Sequence, residues 1–61
     1  SDSALAYYLK AIVGARTNNS DLVFSNLKTA MEKDAAFKTK ASKDREFVKY
    51  FLNPDFIAMI D

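Results

Sequence analysis

A chain without histidine or cysteine has few ways to do chemistry, and this one has neither. The groups left to act are carboxylates, hydroxyls and amines. General acid–base work needs two such groups facing one substrate, and the closest carboxylate pairs are Asp44 with Glu46 and Glu32 with Asp34. Each pair is two residues apart, and positions i and i+2 of a helix point in different directions, so neither pair converges. Ser20 and Ser25 have no plausible base to activate a hydroxyl. Gly14 is the single glycine, so there is no glycine-rich loop to hold a phosphate. The usual thiolate and imidazole sets that bind zinc are missing as well. The sequence therefore predicts a protein that is not an enzyme, with no catalytic residues, no metal ligands and no cofactor.

One further stretch has chemical potential. Lys38, Lys40, Lys43, Arg45 and Lys49 lie close together with Phe47 and Tyr50 among them, a composition suited to phosphate contact and base stacking. Asp44 and Glu46 interrupt it, and nine basic residues stand against eight acidic ones over the whole chain, a net charge of +1. A solvated helix face accounts for the same pattern. No nucleic-acid partner is expected, with contact through this basic tail kept as a remote alternative.

Helices must position these groups. With one glycine, one proline and no Asn-Gly or Asp-Gly pair, the punctuation of a stranded fold is missing. The spacing predicts a first helix from about Ala4 to Thr17, capped by Ser1, Asp2 or Ser3, with Arg16 placed to favour its negative C-terminal end. Thr17, Asn18, Asn19 and Ser20 form a turn whose side chains can bond nearby backbone, and Asn19 or Ser20 can cap a second helix from about Asp21 to Lys33. The second helix is amphipathic, with Val23, Phe24, Leu27, Ala30 and Met31 on one side. The first is apolar nearly all round, through Leu5, Tyr7, Tyr8, Leu9, Ile12 and Val13, and so needs cover from two directions. A short turn makes the two helices antiparallel neighbours.

Beyond Asp34 the apolar pattern breaks into three shorter helical units. Phe37 and Ala41 mark the first, Asp44 precedes Phe47, Val48, Phe51 and Leu52 in the second, and Asn53-Pro54-Asp55 opens the third before Phe56, Ile57 and Ile60. Asn53 as N-cap with Pro54 at the first helical position is a strong start signal. The aromatic residues of this tail suggest that it folds back on the hairpin. A chain of 61 residues buries only about 60% of the surface its unfolded form exposes, so the core must be thin. Dense packing, self-association or continuation into a longer chain must then supply support. No uncharged run approaches the ~20 residues a membrane span requires, so no span is expected.

Residues Tyr7 to Ala35 resemble a tetratricopeptide repeat, a 34-residue helix–turn–helix unit with an aromatic, a Leu-Gly pair, a Tyr, then Ala-x-x-x-Phe and a closing Pro. Tyr7 takes the first aromatic position and Ala11 the small one. Val23 and Leu27 take the Ala-x-x-x-Phe places, Ala30 the small position after them, and Asp34 the acidic place before the proline. Lys10 stands where Leu is usual, Gly14 replaces the Tyr, and Ala35 replaces the Pro. The phrases Ala6-Tyr7-Tyr8-Leu9-Lys10-Ala11, Asn26-Leu27-Lys28-Thr29-Ala30, Lys43-Asp44-Arg45-Glu46-Phe47 and Asn53-Pro54-Asp55-Phe56 are similar to the closing segment of bacterial repeat proteins.

That resemblance implies an all-α domain over 1–61, with a repeat hairpin at 4–34 and a capping tail at 35–61, cut from a longer chain. It also hints at an exported envelope protein, although the residues themselves leave the compartment open. The implied function is a non-catalytic protein–protein interaction or scaffold module that ends a solenoid and binds a protein, a peptide or neighbouring repeats. In the family the inner face of the first helix lines a peptide-binding groove, and by position that face presents Leu5, Tyr8, Ile12, Ala15 and Arg16. The same residues also suit a second buried side covered by the tail or by a preceding repeat. Leu9 and Ile12 occupy places where a clamp for a terminal carboxylate needs polar groups, so that mode is disfavoured. Tyr7, Ala11, Val23, Leu27, Ala30, Phe37, Phe47, Phe51 and Phe56 are assigned to packing. An alternative of a different class is a homodimer in which a second copy covers the first helix.

Overall fold

The computed structural model describes residues 3–61, and within them the chain is all-α: helices α1 (Ala4–Arg16), α2 (Ser20–Lys33), α3 (Ala36–Lys43) and α4 (Pro54–Ile60), with a 3₁₀ helix η1 (Arg45–Tyr50) between the last two. Ser1 and Asp2, two of the residues offered as caps for α1, lie outside the described residues. Ser3 takes the N-cap position in extended backbone but makes no side-chain cap hydrogen bond.

The turn between α1 and α2 explains why the two helices run back to back. Asn18 adopts a left-handed backbone (φ 59°) just past the end of α1. Its N–H donates to the Ala15 carbonyl at 3.4 Å, and the Asn19 N–H donates to the Gly14 carbonyl at 2.8 Å. That pair of bonds is the Schellman ending, and asparagine is the residue after glycine that accepts the conformation most readily. Asn19 is at once the N-cap of α2, accepting from the Leu22 N–H at 3.1 Å. One helix is closed and the next opened within three residues.

Gly14 sets how near α1 and α2 approach. A Cβ at that position would lie 2.9 Å from the Val23 backbone nitrogen, 3.0 Å from Val23 Cγ2 and 3.1 Å from the Asn19 carbonyl oxygen. Ala11 and Ala30, at the small positions of the repeat pattern, are both fully buried. A close approach that leaves no room for a Cβ lies at Gly14, the glycine that departs from the repeat pattern.

The tail closes over the hairpin as three short helical units, the middle one 3₁₀. Asp34 ends α2 and accepts from the Ala36 N–H at 3.0 Å, turning the chain into α3, whose N-cap is Ala35. Asp44 accepts from the Glu46 N–H at 3.0 Å and starts η1. Asn53 accepts from the Asp55 and Phe56 N–H groups at 2.8 and 3.3 Å, with Pro54 at the head of α4. These caps turn the chain sharply enough to stack rings. Phe37 lies 5.0 Å from Tyr8, Tyr8 is 5.6 Å edge-on to Phe47, and Phe47 is 6.0 Å from Phe56. Phe56 meets Tyr50 at 6.4 Å and Phe51 at 5.9 Å, and Tyr50 meets Phe24 at 5.6 Å. Seven of the eight aromatic side chains join this ladder, which ties the tail to α1 through Tyr8 and to α2 through Phe24. The Cα radius of gyration is 10.1 Å, close to the roughly 10.5 Å that scaling gives for a folded chain of this length. The tail is thus folded back, as its aromatic content predicts.

Replacing Gly14 with alanine sets two effects against each other. Alanine favours a helix over glycine by about 1 kcal/mol, whereas overpacking costs about 1–3 kcal/mol. Because two of the three near atoms are backbone and cannot swing away, the clash wins. A thermal melt of Gly14→Ala should shift down by several degrees, at ~4–8 °C per kcal/mol for a domain this small. A melt that shifts up would show that the helix separation is not set here.

Candidate functional site

The five residues placed on a partner-binding face all sit on α1, but the structure distributes them between different environments. Tyr8 is in the core, 1% exposed, with its ring between Phe37 and Phe47. At Tyr8 the face is not an open groove but the second buried side, covered by the tail. Ala15, counted on the same face, is also buried. Ile12 is partly buried against the core, Arg16 reaches across to the tail, and Leu5 alone of the five is a half-exposed apolar side chain. The physical reason lies in the rest of the helix. Ala11, Gly14 and Ala15 are small enough to admit neighbours closely, so the buried arc runs through them and Tyr8.

What α1 does leave open is a stripe one turn apart: Leu5, Leu9 and Val13 are 50%, 52% and 54% exposed. They recur at i, i+4 and i+8, on one side of the helix. Apolar nearly all round, α1 needs cover from two directions. Both covers exist, α2 and the tail, and this third side has none among the described residues. The tail has exposed apolar residues of its own, Val48, Leu52 and Ile57, with Leu52 the most open at 90%. Among the assigned packing residues, Ala11, Val23, Leu27, Ala30, Phe47 and Phe56 are fully buried, while Tyr7, Phe37 and Phe51 pack partly buried against that core. Tyr8, Ala15, Ala41 and Tyr50 complete it. Ala41 had been noticed only for its spacing from Phe37, and Tyr50 only as a base-stacking partner.

Three polar links hold the tail along α1. The Tyr8 hydroxyl donates to Asp44 Oδ2 at 2.5 Å. Arg16 donates to both oxygens of Glu46, from Nε at 3.1 Å and from Nη2 at 2.6 Å. The Lys49 ammonium donates to Asn18 Oδ1. Burial pushes the Tyr8 phenol far above its ordinary range, with the Asp44 hydrogen bond and the nearby carboxylate charges adding to it. Burial opposes ionisation of Asp44, yet its bonds from the Tyr8 hydroxyl and the Glu46 N–H, with the Lys40 charge, hold it below the usual carboxylate range. The Arg16 guanidinium does the same for Glu46, and Glu46 in turn raises Arg16. Both carboxylates of the Asp44/Glu46 pair are thus engaged in holding the tail.

The basic stretch is split in the same way. Phe47 is fully buried and Tyr50 is 8% exposed, so neither ring is open for a base to stack on. Lys40 lies over the Tyr8 ring and Lys49 over the Tyr50 ring, at 5.8 and 5.7 Å from the centroids. A shallow groove of about 490 Å³ between α2, α3 and α4 is lined by Met31, Met59 and Ala58 with Lys28, Glu32 and Lys38, mixing both charges. Among the described residues no helix is long and apolar enough to cross a membrane. No family pattern, curated protein or solved structure matches this chain.

The Tyr8–Asp44 bond makes a pH prediction with a definite sign. Asp44 titrates lower in the folded chain than unfolded, so its contribution is present above pH ~4 and fades as pH falls through its folded value. Tyr8 titrates higher when folded, so its contribution is complete below pH ~10 and fades as pH rises beyond it. Tyr8→Phe should cost about 1–2 kcal/mol at neutral pH. In urea melts across pH it should also flatten the alkaline fall and part of the acid fall. An unchanged pH profile would mean the hydroxyl is not bonded to Asp44 in solution.

Proposed function

We propose that this chain is a non-catalytic interaction module, the terminal unit of a tetratricopeptide-like helical array, which docks a neighbouring unit or a partner protein on the open side of α1. The observation that carries this reading is the unequal treatment of the two sides of α1. One side is sealed by the aromatic tail. The other presents Leu5, Leu9 and Val13 at half exposure. A repeat unit cannot hide its apolar faces alone and buries them only against a neighbour, so an end unit needs one face closed and one face ready. The resemblance of residues Tyr7 to Ala35 to a repeat hairpin supports the same reading, with Ala11, Ala30 and Gly14 as the positions of close helix approach.

A fused array tests it. One consensus repeat placed in register before α1 should raise the melting temperature of the module, because nearest-neighbour interfaces add stability in such arrays. The rise should be several degrees, at about 4–8 °C per kcal/mol. Leu9→Glu should remove that gain while leaving the melt of the isolated chain nearly unchanged, since Leu9 is half exposed there. A fused repeat that adds no stability would sink the reading.

A further inference from the structure

The fold sorts the cations of the basic stretch. Lys38 Nζ donates to the Asp61 carbonyl at 3.3 Å and Lys49 donates to Asn18, so both are drawn to other parts of the surface. The remaining three, Lys40, Lys43 and Arg45, are exposed and line one shallow depression with Asp44, where α3 passes into η1. Its volume is about 550 Å³, within the roughly 300–1,000 Å³ of small-ligand sites. Lys40 also lies over the Tyr8 ring. The side chains of Lys43 and Arg45 have no hydrogen bond, ion pair or ring contact among the described residues.

The carboxylates that interrupt this run in the sequence do not neutralise it in space. Both oxygens of Asp44 already accept, Oδ2 from the Tyr8 hydroxyl and Oδ1 from the Glu46 N–H. Glu46 is held in the fork of Arg16. Three positive charges at the depression therefore stand against one negative charge whose oxygens are engaged, an excess of two.

We propose that this depression binds a compact condensed phosphate, a di- or triphosphate group read by its phosphates alone, through Arg45 on η1 and Lys40 and Lys43 on α3. The charge excess calls for a ligand with at least two negative charges. Arg45 can meet phosphate oxygens in a two-bond fork, and the lysines add point charges. A nucleic-acid strand suits the site less, because single strands bind by stacking bases on open rings, and Phe47 is fully buried and Tyr50 only 8% exposed. The site is separate from the open side of α1 and does not depend on the interaction-module reading. Its cations come from both sides of the Asp44 corner, so a bound triphosphate ties α3 to η1 and stabilises the folded tail.

The test uses the whole 61-residue chain with sodium tripolyphosphate as the probe, in calorimetric titrations and thermal melts. Tripolyphosphate should bind about tenfold tighter than orthophosphate, raise the melting temperature, and lose affinity as salt rises from ~50 to ~500 mM. Arg45→Gln and Lys43→Gln should each weaken it about tenfold. Without the probe both variants should melt like the parent, since neither side chain has a partner to lose. Lys28→Gln removes the same charge from α2, away from the depression, and should bind nearly as the parent does. Adenosine triphosphate should bind about as tightly as tripolyphosphate, because no open ring meets its base.

No binding of tripolyphosphate at the lowest salt would overturn the proposal. Equal losses in Lys28→Gln and Arg45→Gln would do the same, since the chain would then be responding to net charge and not to a site. Adenosine triphosphate binding much tighter than tripolyphosphate would show that a base is read, against a site for phosphates alone. Single-stranded oligothymidylate binding tighter than tripolyphosphate would assign the cations to a nucleic-acid strand, and that result overturns the proposal as well.

Discussion

The structure depends on where Tyr8 goes. Its ring is the place where α1, α3 and η1 meet, packed against Phe37 on one side and edge-on to Phe47 on the other, and its hydroxyl ends on the carboxylate that starts η1. A buried phenol needs a partner for its hydroxyl, and Asp44 supplies one while capping the 3₁₀ turn. The same contact therefore buries a large ring, satisfies its polar end and fixes the angle at which the tail crosses the hairpin. Each buried aromatic side chain removes roughly 150–250 Å² from water, worth about 4–6 kcal/mol before entropy is subtracted. A chain this short has a total stability of about 3–9 kcal/mol. The seating of Tyr8, Phe47 and Phe56, each at most 1% exposed, thus decides whether the tail is folded at all.

The exposed links matter differently. Arg16 and Glu46 are held in a two-bond fork, but the Arg16 side chain is 69% exposed. Solvent screens such a pair, so its value lies in register more than in stability. Together with Tyr8–Asp44 and Asn18–Lys49 it aligns η1 along the C-terminal half of α1. Aromatic packing alone is tolerant of sliding, and three polar links at separate heights are not.

Much of the fold was legible in the sequence because its signals are local. Asn19 and Asn53 cap by side-chain chemistry that depends on a few neighbouring residues, Pro54 marks a first helical position, and α2 carries a clear apolar stripe. The 3₁₀ form of η1 was not legible, because the same apolar spacing suits an α-helix. Its short length and the backbone departure at Phe47 follow from packing Phe47 and Tyr50 inward while Asp44 stays capped. The candidate face was legible only in part. On a helix apolar all round, periodicity cannot say which arc is inside. Position in a resembling repeat left Tyr8 on a face that was either a groove or a second buried side, and ring contacts from residues more than 28 positions away hold it inward. Gly14 was the missed signal. A single glycine inside a helix weakens it by about 1 kcal/mol relative to alanine, and such a residue marks a close approach more often than a lapse.

The composition of α1 separates what the fold needs from what it does not. Its buried arc beside α2 and the tail holds three small residues, Ala11, Gly14 and Ala15, and one large one, Tyr8. Its open arc holds Leu5, Leu9 and Val13, which make little of the core. This inverts the usual ordering, in which the larger aliphatic side chains go inward. Close approach accounts for the small residues, since α2 could not sit against Gly14 if a leucine stood there. Nothing within the hairpin accounts for three aliphatic side chains aligned on the other side, where polar residues would serve a helix of equal propensity. They stay half exposed, with no cover among the described residues. The two arcs of this one helix therefore answer to different constraints: close packing fixes the residues of the inner arc, and the fold leaves those of the outer arc free to vary.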